Sequence, residues 1–314
     1  MIEGIPRISV LIICYKQEEL IKRAINSLLD QKAYIYEICV SDDCSPDRTW
    51  EVLQEYDRQY PGLFKLHRNG PNVGIFENIE YTWTMPTGDI VYDLAGDDEC
   101  GEGWFKTVVE FVQKNNIDYK NELFCIYGDF LAVYPKGDTL RYSNDLVKKH
   151  DPLKLALRGL ISNRSACFSI NVLKKFINVS QGRSHIAEDA QDRQLQLFSQ
   201  KNYYIPHIGN VYYAKVGVSI HIDKSIFDER KRIHNYSMSF LESQGVVFDA
   251  NDKKHLNRLS IYGVMENPNH TVFDVLRAFL GGFEKKYGLR SLKIRNIMFA
   301  LVRRIPHRRP IKWS

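Results

Sequence analysis

The sequence lacks the glycine-rich loops with which many nucleotide-binding enzymes hold phosphate. Neither the GxGxxG pattern of dinucleotide-binding folds nor the GxxxxGK[ST] pattern of P-loop enzymes occurs in its 314 residues. Those glycines let backbone N–H groups approach a phosphate closely. Their absence argues against a dinucleotide-dependent dehydrogenase and against a P-loop enzyme. A diphosphate bound by this chain would need another positive charge, and a metal ion is the natural candidate.

Cysteine pairs and long apolar runs are missing as well. The six cysteines are scattered without a CxxC pair, so we expect free thiols rather than disulfides or zinc ligands. No stretch reaches the roughly 18 apolar residues that a membrane-spanning helix needs. No basic segment precedes an apolar stretch at Met1. These absences predict a cytoplasmic protein.

Charge is unevenly distributed along the chain, whose net charge is +5. Residues 284–314 contain ten Lys or Arg and one acid, whereas the preceding residues contain 33 basic and 37 acidic side chains. Apolar stripes run beside these basic residues, which is typical of a peripheral segment attracted to an anionic membrane surface. A helical appendage that packs on the body or forms a homodimer is the alternative. Because the basic residues are confined to one end, no nucleic-acid partner is expected.

Strand and helix signals alternate through the first half of the chain. Ile8 to Cys14 is a nearly continuous apolar run, as expected for a strand buried on both faces of a parallel sheet. The spacing of the signals is that of βα units, which predicts an α/β fold with a mainly parallel central sheet and helices on both faces. The further predicted elements are a helix over 20–30, a strand over 36–41, a helix from the Ser45–Pro46 cap to about residue 60, a strand over 63–67, a helix over 72–85 and a strand over 88–94.

Two aspartates and a glutamate follow the last of these strands, in the segment GDIVYDLAGDDE. Asp97, Asp98 and Glu99 therefore come at the carboxyl end of a buried strand, where open α/β sheets bind their ligands. Carboxylate oxygens suit Mg²⁺ or Mn²⁺ that also carries phosphate oxygens. The structural alternative is a solvated acidic turn that begins the next helix.

Five segments in order resemble family 2 glycosyltransferases with the GT-A fold. The resemblance covers about residues 8–219 and implies a GT-A domain over 1–221. Beyond it, the apolar stripes and basic residues predict a helical, basic C-terminal region over 222–314. The segments are ISVLIICYK, EICVSDDCSPDRT, NVGIFEN, GDIVYDLAGDDE and AEDAQDRQL.

The resemblance indicates that residues at the end of the second strand contact the nucleotide base. Of the pair Asp42 and Asp43, it favours Asp43 as the residue that contacts the base, and Tyr15 can lie along the ring. A carboxylate only accepts hydrogen bonds, so it suits an imide N–H such as that of uracil or thymine, and a UDP-sugar is the favoured donor. The alternative is that the aspartates cap the helix that follows Ser45.

The resemblance also indicates which residues contact the phosphates and the donor sugar. Asp98 would coordinate the Mn²⁺ or Mg²⁺ that bridges the two phosphates, and Asp97 would lie against the ribose or the donor sugar. Asn78 would contact the donor, and Lys215 stands where a basic residue often approaches the diphosphate. A solvated lysine is the alternative for Lys215. The departing nucleoside diphosphate gains negative charge, which a metal ion stabilises as a Lewis acid.

An acidic pair in the last segment carries the general base in the family. The resemblance gives this role to Asp189, with Glu188 and Asp192 as nearby alternatives. Acids in the first turn of a helix also stabilise it through the macrodipole, which is the structural explanation of the same residues. A single base opposite a metal-bound leaving group implies inversion at the anomeric carbon. A retaining mechanism with a carboxylate nucleophile is the alternative.

Together these features predict a metal-dependent glycosyltransferase of surface-polysaccharide or glycoconjugate biosynthesis. It would move one sugar from a nucleoside-diphosphate sugar to a hydroxyl of a glycan or lipid-linked acceptor, because the QxxRW motif of processive members is missing. The expected location is the cytoplasm, or the inner face of the cell membrane as a peripheral protein. A sugar-nucleotide nucleotidyltransferase and a non-catalytic nucleotide-sugar-binding module are the alternatives.

Overall fold

The computed structural model describes residues 4–148, 162–177 and 198–214, together with 216, 239, 242, 243, 247 and 248. The chain divides into two compact units, Met1–Ile220 and His221–Ser314. Nearly all of the second unit lies outside the described residues, so the helical, basic C-terminal region stays a prediction, as does the domain boundary. Among the helices that the structure describes, none is long and apolar enough to cross a membrane.

Strands and helices alternate from residue 8 to residue 95, and a two-residue strand at Glu99–Cys100 precedes the next helix. The helices are α1 (Leu20–Leu29), α2 (Thr49–Gln59), α3 (Ile75–Thr82), α4 (Trp104–Lys114) and α5 (Ile170–Ile177). The strands are β1 (Ile8–Cys14), β2 (Ile35–Asp42), β3 (Phe64–Arg68), β4 (Ile90–Ala95), β5 (Glu99–Cys100), β6 (Phe124–Val133), β7 (Thr139–Tyr142), β8 (Cys167–Ser169) and β9 (Lys201–Tyr213).

The strands form one sheet in the order β3-β2-β1-β4-β8-β6-β9-β5, with β7 paired to β6. The predicted parallel arrangement holds for β3, β2, β1 and β4. Beyond β4 the sheet is mixed, because β8 runs antiparallel to both β4 and β6 while β6 and β9 are parallel. The α/β fold class is confirmed, with a sheet that is less uniformly parallel than the sequence predicted.

Apolar side chains cover both faces of the parallel half. Val10 and Ile12 of β1 belong to a buried cluster that also contains side chains of α1, α2 and α4. Leu11 points to the other face, because side chains alternate along a strand, and α3 lies against β1 and β2 there. Trp83 at the end of α3 contacts Phe176 of α5 edge-on, with 5.3 Å between ring centroids.

Helix α2 begins three residues later than the Ser45–Pro46 pair predicted, since its N-cap is Arg48 rather than Ser45. The Ser45 hydroxyl is used elsewhere, since it accepts a hydrogen bond from the Lys16 N–H at 3.0 Å and donates to Asp42. Asp47 accepts a hydrogen bond from the Thr49 N–H at 3.1 Å instead. Ser45 therefore joins the ends of β1 and β2 rather than capping the helix.

The six cysteines lie among the described residues and are all free thiols, as expected. Cys44 is half-buried and the other five are buried. Burial raises the pKa of Cys100 and of Cys125 to about 12. Thiols of that kind stay protonated and unreactive at neutral pH, so the buried cysteines act as small core residues.

Strand β5 attaches the acidic turn to the far side of the sheet. Glu99 pairs with Val211 of β9, and the Gly101 N–H donates to the Gly209 carbonyl oxygen at 3.0 Å. A Cβ atom on Gly101 would lie 1.8 Å from the carbonyl oxygen of Ile208, so no larger residue fits at this contact. The acidic residues 97–99 are thus held between β4 and β9.

We expect the substitution Gly101→Ala to destabilise the protein by about 1–3 kcal/mol, because the added methyl group must push β9 away. Gly70→Ala is the matched control, since no atom lies within 4 Å of its added Cβ. The control should stay within about 0.5 kcal/mol of the wild type. Midpoints of urea unfolding give both values, and equal midpoints for the two variants would refute the tight β5–β9 contact.

Candidate active site

Four of the site residues predicted from the sequence lie at one edge of the sheet. Because β1 is parallel to both β2 and β4, the carboxyl ends of the three strands are neighbours. Tyr15 follows β1, Asp43 follows β2, and Asp97 and Asp98 follow β4. The structure therefore places the predicted base-binding and phosphate-binding residues at the same edge.

Asp98 is buried, with 2% of its surface exposed. One carboxylate oxygen accepts a hydrogen bond from Arg164 Nη1 at 3.3 Å, and the other accepts one from the Tyr213 N–H at 3.2 Å. Burial raises the pKa of the Asp98 carboxyl to about 6, while the Arg164 guanidinium acts in the opposite direction and Asp97 adds to the rise. Asp98 is thus a shielded carboxylate that needs a positive partner.

Arg164 is a residue of this edge that the sequence patterns did not single out. Its guanidinium carbon lies 3.7 Å from the ring centroid of Tyr212, and 39% of its side chain is exposed. The next residue, Ser165, is anchored by a 2.7 Å hydrogen bond to the Gly128 carbonyl oxygen. None of the five segments that carry the family resemblance contains this arginine.

A second arginine holds the outer side of the acidic turn. Arg23 of α1 forms an ion pair with Glu99 at 3.1 Å and donates to the Asp97 carbonyl oxygen at 2.5 Å. Its guanidinium carbon lies 3.6 Å from the ring centroid of Tyr213, whose hydroxyl donates to Glu99 at 2.7 Å. The turn is therefore bordered by two guanidinium groups, each stacked on a tyrosine of β9.

Asp43 is held by the loop that leads into α3. Its carboxylate accepts hydrogen bonds from the Val73 N–H at 2.8 Å, the Gly74 N–H at 2.9 Å and the Asn69 amide at 2.9 Å. Gly74 adopts a φ of 90°, which favours glycine. A carboxylate has about four acceptor positions, so one position remains, which is the number that a single imide N–H requires.

Asp42 is bound differently from its neighbour. It is fully buried and accepts hydrogen bonds from the Ser45 N–H at 3.1 Å and from the Ser45 hydroxyl, and it forms an ion pair with Arg68 at 3.3 Å. Burial raises its pKa, and these partners oppose that effect. Asp42 thus connects β2 to β3, whereas Asp43 keeps an acceptor position; contact of either with a base stays a prediction.

Asn78 and Tyr15 have distinct surroundings. Asn78 is buried, accepts hydrogen bonds from the Ser41 hydroxyl at 2.6 Å and the Asn69 amide at 3.0 Å, and donates to the Ser41 carbonyl oxygen. These bonds join α3 to β2, and the donor contact of Asn78 stays a prediction. Tyr15 is half-buried, with the Lys16 ammonium 5.1 Å from its ring centroid.

The predicted general base and one predicted phosphate contact cannot be placed at this edge. Asp189, its alternatives Glu188 and Asp192, and Lys215 all lie outside the described residues. Their roles stay predictions from the resemblance.

The carboxylates of the acidic turn fit one kind of metal site. Within the described part of the chain, no three His, Cys, Asp or Glu side chains form a complete ligand group. Mg²⁺ is commonly bound through one or two carboxylates together with water and substrate phosphates. Asp98, with Asp97 beside it, therefore fits a cation that takes most of its ligands from a diphosphate.

Comparisons with known proteins find glycosyltransferases among the relatives of this chain. Relatives include the processive diacylglycerol beta-glycosyltransferase of Mycoplasma pneumoniae, 28% identical over 156 residues, which are 49% of this chain and 42% of the relative. The putative glycosyltransferase EpsE of Bacillus subtilis is 27% identical over 110 residues, 35% of this chain and 40% of the relative. The chain therefore spans less than half the length of these curated relatives.

Solved structures share the fold. The crystal structure of S. aureus TarS 1-349 in complex with UDP superposes with a TM-score of 0.64 at 15% identity, covering 95% of this chain and 88% of that chain. The complex with UDP-GlcNAc gives a TM-score of 0.60 at 16% identity, covering 96% and 82%. At these identities the likeness establishes a GT-A fold and no more.

The sequence model of glycosyl transferase family 2 matches residues 9–174, from β1 into α5. This match covers more than half of the chain and includes Asp43, Asp98 and Arg164. The protein therefore belongs to glycosyl transferase family 2 and has the GT-A fold.

Proposed function

We propose that the protein transfers a sugar from a UDP-sugar to a hydroxyl of a glycan or lipid-linked acceptor, with inversion and with Mn²⁺ or Mg²⁺ as cofactor. The observation that carries this proposal is the buried Asp98 carboxylate at the carboxyl end of β4, at the same edge of the sheet as the Asp43 carboxylate. One acid suits a base and the other suits a cation that carries phosphates.

The nucleotide half of the proposal rests on Asp43 and Tyr15. The remaining acceptor position of Asp43 suits the imide N–H of uracil, and the other three hold the carboxylate in place. Tyr15 follows β1, the neighbour of the strand that Asp43 follows, and its ring supplies an aromatic face for the base. UDP and UDP-GlcNAc are the ligands named for the TarS structures, which supports a UDP-sugar as donor here.

The leaving-group half rests on the acidic turn. A divalent cation at Asp98 would supply Lewis-acid stabilisation of the departing diphosphate. Asp98 would hold that site in place, because the Tyr213 N–H fixes one of its oxygens and β5 fixes the turn. Asp189 would remove the proton from the acceptor hydroxyl, and attack from the opposite side of the sugar gives inversion.

The acceptor and the location are proposed from the relatives and from charge. The Mycoplasma relative is named for diacylglycerol, which supports a lipid acceptor, while a glycan acceptor in surface-polysaccharide assembly follows from the family resemblance. The basic residues of 284–314 would bring the enzyme to an anionic inner membrane surface. Because that relative is also named processive, the number of sugars transferred is to be measured from the product mass.

We expect UDP to stabilise the wild type only when Mn²⁺ is present, and to lose this effect in Asp98→Asn. A ligand at about a hundred times its dissociation constant adds about 2.7 kcal/mol, which a thermal-shift assay detects. Asp89→Asn is the matched control, because Asp89 pairs with Arg7 at the opposite end of β1 and β4. Equal stabilisation of wild type and Asp98→Asn, with or without Mn²⁺, would contradict the proposed metal site.

We expect Asp189→Asn to lower sugar transfer by about 10²- to 10⁴-fold, the usual contribution of a general base. UDP binding should be unchanged, since the base acts on the acceptor. UDP release is measured with a panel of UDP-sugars and of glycan and glycolipid acceptors. Glu188→Gln and Asp192→Asn serve as controls of the same segment; full activity of Asp189→Asn together with loss in either control would move the role to that residue.

A further inference from the structure

Arg164 is a positively charged residue to which the proposed reaction assigns no role. It lies between the Asp98 carboxylate and the Tyr212 ring, at 3.3 Å from the first and 3.7 Å from the second. Its side chain is 39% exposed, whereas that of Asp98 is 3% exposed. A guanidinium that touches the proposed metal-binding acid and also reaches solvent can contact a ligand at that acid.

We propose that Arg164 binds the diphosphate of the donor, and that it releases Asp98 to the divalent cation when the donor binds. This inference rests on the proposed function, because it concerns the same UDP-sugar and the same cation. It assigns to Arg164 a binding role that none of the sequence motifs gave it.

The contact between Arg164 and Asp98 is suited to exchange. It is a single hydrogen bond at 3.3 Å, longer than the roughly 2.7–2.9 Å of a strong charge-assisted bond. The ion pair between Arg141 and Asp129 is tighter, since Nε and Nη2 of Arg141 both donate to Asp129, at 2.8 and 2.5 Å. The Arg164 contact therefore neutralises Asp98 without locking it.

Stacking on Tyr212 leaves the hydrogen-bonding edges of the guanidinium available. A guanidinium has five N–H donors in one plane, and a ring beneath that plane orients them without using any. Arg23 makes a contrast, because it is already bound to Glu99 and to the Asp97 carbonyl oxygen as well as stacked on Tyr213. Arg164 is thus the better placed of the two arginines to take up a phosphate.

Charge balance favours the exchange. A buried carboxylate without a counter-charge is costly, and Arg164 supplies that charge before the donor arrives. A divalent cation and the two negative charges of a UDP-sugar diphosphate add no net charge to the site. Asp98 can therefore exchange Arg164 for the cation while Arg164 exchanges Asp98 for phosphate. The cation and the diphosphate should consequently bind cooperatively.

The test compares Arg164→Gln with the wild type by two binding measurements. Isothermal titration calorimetry at saturating Mn²⁺ gives the affinities for UDP and for uridine, and electron paramagnetic resonance of free Mn²⁺ gives the metal affinity without nucleotide. We expect UDP to bind at least about tenfold more weakly, as for loss of one charged hydrogen bond, and uridine to bind as before. Mn²⁺ alone should bind more tightly, because Arg164 no longer competes for Asp98.

Arg7→Gln is the matched control. Arg7 pairs with Asp89 at 3.1 Å and its side chain is 46% exposed, but the pair lies at the amino ends of β1 and β4. It should leave all three affinities unchanged. Arg164→Lys keeps the charge and loses the planar group, so it should restore part of the UDP affinity and serves as the test if the glutamine variant does not fold.

The outcomes separate this inference from the function on which it rests. If Arg164→Gln binds UDP as tightly as the wild type, or loses UDP and uridine equally, the phosphate role of Arg164 is wrong while the transferase proposal stands. If the wild type binds no UDP with Mn²⁺, the proposed function fails and this inference fails with it.

Discussion

Parallel pairing of β1 with both β2 and β4 is the constraint on which the rest of the molecule depends. The register sets Cys14 beside Asp42 and Ile13 beside Ala95, so the polar residues that follow each strand begin at one level. A shift of one residue would turn the buried side chains of β1 toward the wrong face. The apolar run of β1 thus determines both the core and the distance between the two acidic positions.

The acids at that edge are each hydrogen-bonded, but by different partners. Asp43 is held by backbone N–H groups and an amide, Asp42 by Arg68, and Asp98 by Arg164 and a backbone N–H of β9. Hydrogen bonds from uncharged N–H groups leave the negative charge of Asp43 without a counter-charge, whereas an arginine balances the charge of Asp42 and of Asp98. This difference is what makes an exchange of partners meaningful at Asp98 and not at Asp43.

Much of the parallel half could be predicted from the sequence. The bounds of β1 and the placement of Asp97 and Asp98 at a strand end follow from apolar periodicity, which is a local signal. The predicted start of α2 was wrong because the Ser45 hydroxyl hydrogen-bonds to Lys16 and Asp42 instead of capping the helix. Arg164 and the Tyr213 N–H could not be predicted, since they reach Asp98 through pairings of β8 and β9 that join distant parts of the chain. No pattern within a window of the sequence reports such contacts.

The pairing of β5 with β9 has a consequence for how the protein is made. During synthesis every acid of the acidic turn emerges from the ribosome before residues 201–213, yet β5 has its pairing partner only there. Contacts between distant segments form late because closing a long loop is entropically costly. The turn at Asp98 should therefore acquire its final geometry among the last steps of folding, and a nascent chain stalled after α5 would have the parallel half of the sheet and the family-matching residues without a formed acidic turn.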